Sequence, residues 1–327
     1  MDYFLGLRER EAMIDRPIDA KEYPAFYRKR ERLELMDEHG VEATLMLPTL
    51  GVQVEHDIRH DIPTLYANVR SFNRWLEEDW GFGADGRIIG VPLMSLMDPD
   101  QAAEELERLL KAGARTFYLR PGPIYGRSPA DLAYDRFWGL VNEAAIPVIF
   151  HIGDCDATSL ELNSGAWGEK TNPPIHRMSP FQWYASHGDR PIMDTYAALL
   201  FHNLFGRFPK IRAVSIELGS TWVDWFLTAI DKAYRNTLDF KSAYGKLPAK
   251  PSEIFKEHIW ITPYFEEDIV GLTKRIGVEH VLFGSDFPHS EGVERPIQFA
   301  SRLEGMNGAD VRKIMRTNSA NLFGLAG

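Results

Sequence analysis

The stretch ADLAYDRFWGLVNEAAIPVIFHIG, residues 130–153, predicts an amphipathic helix over 130–145 that leads directly into the buried strand PVIFHIG. The same unit recurs along the chain. Short apolar runs alternate with helical segments, and these runs span residues 41–49, 87–95, 115–122, 147–153, 211–219, 258–265 and 278–289. Short, continuously apolar strands separated by amphipathic helices are typical of parallel strands buried on both faces. The sequence therefore predicts an α/β protein, either a closed barrel or an open doubly wound sheet.

Two sequence motifs that would favour an open sheet are absent. No G-x-G-x-x-G follows an early strand, so a dinucleotide-binding sheet has no support, and no G-x-S-x-G elbow supports an α/β hydrolase. A closed (β/α)8 barrel needs eight strands, whereas the sequence shows seven and begins with a helix pattern over 25–39 that ends at Gly40. We predict an incomplete TIM-like (β/α)8 barrel that lacks its first strand.

The barrel is expected to form one domain over residues 1–327, with a loop insertion at about 154–190 over the active-site face. We expect that this chain begins downstream of the natural start, although a genuinely shortened protein would give the same sequence. A missing strand leaves two strand edges to be covered. Residues 1–20, a second subunit or direct contact between the flanking strands could cover them, and we predict a homodimer.

The composition excludes several classes of partner. The 327 residues are 44% hydrophobic and carry a net charge of −10, with a pI near 5.5. This acidic balance argues against nucleic acid or an anionic membrane as the main partner. The single cysteine, Cys155, allows no internal disulfide, and the charged start is unlike a signal peptide. We expect a cytoplasmic protein that acts on a small molecule.

Polar side chains stand at the ends of the predicted strands, which in a barrel meet at the face that carries the active site. These side chains are Ser95, Arg120, His151, Glu217, Tyr264, Asp286 and, three residues further on, His289. A histidine, several carboxylates and an arginine on one rim are unusual for a purely structural surface. The pattern predicts an active site at this rim.

Each of these residues also has an ordinary structural explanation. His151 could be a core histidine bonded to backbone, but its place at a strand end favours a metal ligand. Asp286 could close a turn, or it could bind metal and exchange a proton. Arg120 could hold a substrate carboxylate or pair with a neighbouring loop. Glu217 either faces the site or pairs with a base. His289 could contact substrate, orient Asp286 or stand exposed.

Aromatic side chains near the rim are candidates for an apolar wall around a substrate, and they are Trp75, Trp80, Trp167 and Trp183. His56 and His60 are four residues apart, but the sequence around them is not clearly helical, so we predict that both lie on the surface. Cys155 is expected to serve packing and not catalysis.

Four segments resemble the amidohydrolase-related family (amidohydrolase 2), which includes aminocarboxymuconate-semialdehyde decarboxylase and the resorcylate-type decarboxylases. They are VIFHIGD, LFGRFPKIRAVSIELGSTWV, HVLFGSDFPHSEG and RKIMRTNSANLFGL, and the resemblance covers about residues 30–325. It implies a distorted barrel with one divalent metal, often zinc. The family holds this metal with an H-x-H pair on strand one, a histidine on strand five and an aspartate on strand eight. His151 and Asp286 match the last two ligands, and Arg120 stands where binuclear relatives carry a bridging lysine.

The chain departs from this pattern in two places. No two of its histidines are separated by a single residue, and Glu217 stands where the decarboxylases usually have a histidine. The resemblance implies a metal-dependent hydrolase or carboxy-lyase for a small cyclic or aromatic carboxylate, with zinc or manganese bound, weakly bound or absent. Asp286 and Glu217 are the expected catalytic residues. Arg120, His289, Trp183 and Tyr264 are the expected substrate-binding residues. The alternative is a non-catalytic barrel that binds a ligand or a partner subunit.

Overall fold

The computed structural model describes residues 21, 23–48, 50–152, 161, 164–171, 177–186, 189–289 and 292–325. The expectations for residues 1–20, for Cys155 and for part of the loop insertion at 154–190 fall outside this set.

Six short strands follow one another in parallel. They are β1 (Thr44–Met46), β2 (Ile88–Gly90), β3 (Phe117–Leu119), β4 (Val148–His151), β5 (Ala213–Ile216) and β6 (Ile259–Ile261). β1 pairs with β2, and β3 to β6 pair in chain order. A parallel bridge between Leu93 and Tyr118 links the two groups, and a bridge between Ile261 and Val281 adds a seventh position. The run predicted as the last strand, 278–289, pairs with a neighbouring strand only at Val281. Its first residues, Val278–His280, form a 3-10 turn instead.

Alternate residues of the strands face two different cores. One side chain from each of the six strands, and one from the residue after Val281, pack in a common interior cluster. They are Leu45, Ile89, Tyr118, Ile149, Val214, Trp260 and Leu282. Their chain neighbours, among them Ile88, Phe117 and Val148, pack in a second cluster that includes residues of the surrounding helices. An interior layer supplied by every strand, with helices outside, is the arrangement of a TIM-like barrel. The predicted fold class is confirmed.

Helices occupy the connections between strands. Their bounds are α1 Lys29–His39, α2 Val54–Ile58, α3 Ile62–Asp79, α4 Pro99–Lys111, α5 Asp135–Ala144, α6 Pro180–Ser186, α7 Asp189–Phe201, α8 Leu204–Arg207, α9 Val223–Asn236, α10 Pro251–His258, α11 Ile269–Ile276, α12 Gly308–Arg312 and α13 Asn318–Leu322. A π-helical turn, Lys313–Thr317, joins the last two. Among the described residues, none of these helices has the length and apolar character needed to cross a bilayer.

Local chemistry explains where the predicted helices begin and end. The Asp98 carboxylate accepts from the amides of Asp100 and Gln101 at the start of α4, and Asp61 accepts from Thr64 N at the start of α3. Gly40 ends α1 with φ 68°, a conformation that glycine adopts without steric cost. These features confirm the helices that the sequence predicted in these places.

A large cavity runs beside β1. Within the described part of the chain, β1 pairs with β2 alone, and residues 43–48 border a cavity of about 2400 Å³. The segment 282–289, which follows the seventh strand position, also lines this cavity. The cavity therefore separates the first and last described strand positions and extends to the strand ends that carry the predicted active site.

Candidate active site

Five of the side chains predicted at strand ends line the same cavity: His151, Glu217, Tyr264, Asp286 and His289. They come from the ends of β4, β5 and β6 and from the segment after Val281. Parallel strands in chain order bring these ends to one face, although almost 140 residues separate the first from the last. The structure thus brings together the centre of the predicted rim.

Glu217, Asp286 and His289 form the tightest group in the cavity. Each offers one possible metal-ligand atom, and these atoms lie within 4.8 Å of one another. His289 Nδ1 lies 2.9 Å from Asp286 Oδ1. Glu217, expected to be a catalytic residue, and His289, expected to contact substrate or to orient Asp286, both lie beside Asp286.

His151 contacts this group through Glu217. Its Nε2 lies 2.8 Å from Glu217 Oε2, and its Nδ1 lies 2.7 Å from the carbonyl oxygen of Ile152. A carbonyl oxygen can only accept, so Nδ1 carries a proton and Nε2 is the atom left for a ligand. Nε2, 2.8 Å from a carboxylate oxygen, faces the group of possible metal ligands. The sequence paired His151 with Asp286, but the structure places Glu217 beside His151.

Both site carboxylates stand on strained backbone. Glu217 has φ 54° and Asp286 has φ 52°, a left-handed conformation that costs an L-residue about 1–2 kcal/mol. Such residues persist where the surrounding structure imposes them, and they are frequent at functional sites. Here the turn begins directly after β5 ends at Ile216. The end of β5 thus positions Glu217, whereas Asp286 lies in the irregular segment that follows Val281.

Tyr264 supports Glu217 from the end of β6. Its hydroxyl donates to the Glu217 carbonyl oxygen at 3.0 Å. Burial raises the pKa of the Tyr264 phenol, and the neighbouring charge of Glu217 raises it further. The phenol therefore stays protonated and can donate at any ordinary pH.

Arg120, predicted either to hold a substrate carboxylate or to pair with a neighbouring loop, lies in an ion pair. It is not among the described residues that line the cavity. Its Nε donates to Glu55 Oε1 at 2.9 Å, and its other two nitrogens donate to the carbonyl oxygens of Pro121 and Pro123. The side chain is almost fully buried, and its guanidinium stands over the Tyr125 ring. The alternative of an ion pair with a neighbouring loop describes this geometry, and we leave Arg120 out of the proposed site.

Tyr125, whose ring Arg120 contacts, also contacts one of the two histidines that were predicted on the surface. His56, predicted on the surface, lies within the helical turn α2 and is buried. Its Nδ1 lies 3.0 Å from the Tyr125 hydroxyl, and burial lowers the pKa of its imidazole. His60, the other member of the pair, is exposed as predicted.

The aromatic wall is only partly the predicted one. Of the four candidate tryptophans, Trp183 alone lines the cavity. Trp80 is buried in the outer core, while Trp75 and Trp167 are exposed. Trp222 and Trp225 also line the cavity. Their position just after the Glu217 strand end is the signal that could have indicated them.

The donor set suits a divalent cation. Carboxylate oxygens and imidazole nitrogens are ordinary ligands of zinc and manganese, and catalytic zinc sites use three protein ligands of these types. Glu217, Asp286 and His289 meet that number. The close carboxylates and the orientation of His151 Nε2 toward Glu217 are an arrangement that a positive ion would stabilise.

Comparison with known families matches these features. The family model described as Amidohydrolase covers residues 21–325. The chain belongs to the amidohydrolase family. The prediction that this chain is an enzyme of the amidohydrolase superfamily is therefore confirmed.

Individual relatives cover most of the chain. An amidohydrolase from Mycobacterium avium subsp. paratuberculosis K-10 superposes with a TM-score of 0.85 at 38% identity, over 94% of this chain and 77% of that chain. A gamma-resorcylate decarboxylase from Rhodococcus jostii (strain RHA1) is 27% identical over 315 residues, which are 90% of this chain and 87% of the relative. A dihydroxybenzoic acid decarboxylase from Polaromonas sp. JS666, with bound manganese and the inhibitor 2-nitroresorcinol, shares the fold with a TM-score of 0.69 at 21% identity, over 98% of this chain and 91% of that chain.

Proposed function

We propose that this protein is a metal-dependent decarboxylase that removes CO2 from a small hydroxylated aromatic carboxylate. The observation that carries the proposal is the convergence of Glu217, Asp286 and His289 within 4.8 Å at the strand ends of a family barrel. The similarity to gamma-resorcylate decarboxylases supports the carboxy-lyase reaction over hydrolysis. The non-catalytic alternative has no support from these relatives.

Glu217, Asp286 and His289 would hold the cation, with His151 beside Glu217 as a further donor. When bound, a divalent cation supplies Lewis-acid stabilisation of negative charge on substrate oxygens. Manganese, which several structural neighbours bind, and zinc both suit these donors. The homodimer expected from the sequence stays a prediction.

Decarboxylation of an aromatic acid needs a proton at the ring carbon that carries the carboxylate. We assign this proton to the Asp286 carboxyl group. Its transfer forms the new C–H bond, and the electron pair of the breaking C–C bond then returns to the ring as CO2 leaves. The acid becomes a carboxylate that takes up a proton from solvent before the next turnover. His289, 2.9 Å from Asp286 Oδ1, orients the carboxyl group.

The aromatic lining suits a flat apolar ring. Trp183, Trp222 and Trp225 line the cavity, and aromatic side chains provide large apolar contact area for a ring. This surface would position the substrate and exclude water from the acid. Water exclusion matters because it strengthens the electrostatic interactions that stabilise developing charge.

The test is turnover by the metal-loaded protein. Purified protein is stripped with EDTA, reloaded with Mn²⁺ or Zn²⁺, and incubated with 2,6-dihydroxybenzoate or 5-carboxyvanillate while CO2 and the decarboxylated phenol are measured. We expect both products in equal amounts, and Asp286→Asn should lower kcat by at least about 100-fold. Asp310→Asn, an acid paired with Lys313 on the outer helices, serves as the matched control. Stoichiometric metal without CO2 from either compound would contradict the proposal.

A further inference from the structure

The loop that follows β5, residues 217–221, carries Glu217 and makes two left-handed turns. Glu217 has φ 54° and Gly219 has φ 63°. This backbone departs from the strand, so its polar groups need partners of another kind. Side chains from the turn after β6, together with Trp222 at the end of the loop itself, provide them.

Glu267 binds the second half of this loop. Its Oε1 accepts from the amides of Ser220 at 3.0 Å and Thr221 at 3.3 Å. Its Oε2 accepts from the Ser220 hydroxyl at 2.7 Å and from the Tyr264 amide at 2.9 Å. One carboxylate therefore joins the loop after β5 to the turn after β6. It stands just before α11, whose first turn is capped by Asp268.

The carbonyl groups of the first half are bound as well. The Tyr264 hydroxyl donates to the Glu217 oxygen at 3.0 Å. Trp222 Nε1 lies 3.1 Å from the oxygens of both Leu218 and Gly219. The loop is thus held at both ends by Tyr264 and Glu267 and in the middle by its own Trp222.

Gly219 makes this close packing possible. A Cβ atom at this position would lie 3.0 Å from a ring carbon of Tyr264 and 3.1 Å from Glu267 Oε1. Such distances are tighter than ordinary contacts, and the positive φ disfavours any other residue. The sequence E-L-G therefore combines a strained acid with the glycine that lets its two supports approach.

We propose that Glu267 and Tyr264 are positioning residues that hold Glu217 in its left-handed conformation and so keep its carboxylate beside Asp286 and His289. The inference rests on the proposed function, because it assigns these contacts to the metal-binding group of the same site. Neither residue needs to touch the metal or the substrate.

Loss of the supports should release the strain at Glu217. Without them the backbone of Glu217 can relax to a negative φ. This rotation of the backbone moves the Glu217 carboxylate away from Asp286 and His289. Removing an outer partner of a metal ligand typically costs 10- to 100-fold in metal affinity. We expect about that loss for Tyr264→Phe and for Glu267→Ala. Glu267→Gln keeps one acceptor oxygen and should fall between Glu267→Ala and the unchanged protein.

The experiment measures Mn²⁺ affinity from the paramagnetic resonance signal of free Mn²⁺, and amide hydrogen exchange over residues 214–222. Tyr66→Phe is the matched control, because the Tyr66 hydroxyl also donates to backbone carbonyl oxygens, those of Ser95 and Asp98. The Tyr264 and Glu267 variants should bind Mn²⁺ about tenfold or more weakly and exchange faster at Ser220 and Thr221. The control should change neither readout.

The two proposals fail in different ways. Mn²⁺ affinity in Tyr264→Phe and Glu267→Ala equal to that of Tyr66→Phe would overturn the positioning role, whatever the turnover. A wild-type protein that binds neither Mn²⁺ nor Zn²⁺ would refute the proposed function. In that case a crystal structure of Glu267→Ala decides the inference, since a Glu217 φ still near its present value would overturn it and a φ below zero would support it.

Discussion

Replacing Asp286 by Asn should stabilise the metal-free protein while removing its response to metal. Asp286 and Glu217 offer carboxylate oxygens within 4.8 Å of each other. Two unit charges at that separation repel by about 1 kcal/mol in a water-like medium and about 3 kcal/mol at an effective dielectric of about 20. Both side chains are partly exposed to solvent in the cavity, so we take the lower value.

The other consequences of the substitution are small. Asparagine tolerates the left-handed φ of 52° at this position, and its carbonyl oxygen can still accept from His289. The half-exposed pair with His289 contributes at most about 1 kcal/mol. The net gain therefore lies between zero and about 1 kcal/mol, which for a chain of this length raises Tm by at most about 1–2 °C.

Metal should reverse the order of the two proteins. At 100 times its Kd, Mn²⁺ stabilises the wild-type fold by about 2.7 kcal/mol, or about 4 °C, and it should leave Asp286→Asn nearly unchanged. Calorimetric scans in EDTA and in Mn²⁺ measure both values, with Asp310→Asn as the control that keeps the metal response. A variant that is clearly less stable in EDTA, or that gains as much from Mn²⁺ as the wild type, would refute the electrostatic reasoning.

Three further predictions concern the supports of the fold. Gly219→Ala should cost about 1–3 kcal/mol of unfolding free energy and weaken Mn²⁺ binding, whereas Gly40→Ala, with a similar φ but no close neighbour, should cost about 1 kcal/mol and leave binding intact. Arg120→Ala should cost about 3 kcal/mol in urea unfolding because it strands Glu55 without its buried partner, and Glu55→Gln in the same chain should restore part of that. Burial lowers the pKa of His202 from 6.5, so the unfolded chain binds more protons than the folded one, and stability falls as pH drops below about 6.5. His202→Asn should therefore reduce the change of unfolding free energy between about pH 7 and 5.

Much of the fold was predictable because its signals are local. A buried strand and an amphipathic helix each appear in a window of a dozen residues, and the caps at Asp61, Asp98 and Gly40 act on their own helices. The last strand was harder, because the apolar run before Asp286 has strand composition but only Val281 finds a ladder partner. Composition shows that a segment can pair, and the neighbouring chain decides over what length it does.

The site divides along the same line. That His151, Glu217, Tyr264 and Asp286 share one rim followed from the sequence, because parallel strands in a barrel place all their carboxyl ends on one face. Which side chains meet there did not follow. The contact of His151 with Glu217 and the grouping of His289 with the carboxylates depend on two strained turns. The ion pair of Arg120 with Glu55 depends on the short helix α2, 65 residues earlier in the chain. The sequence by itself thus determined which residues reach the active face, whereas only the tertiary structure decided their partners. A hydrogen bond or ion pair depends on the positions of its two polar atoms to within about an ångström. Segments far away in the chain set those positions.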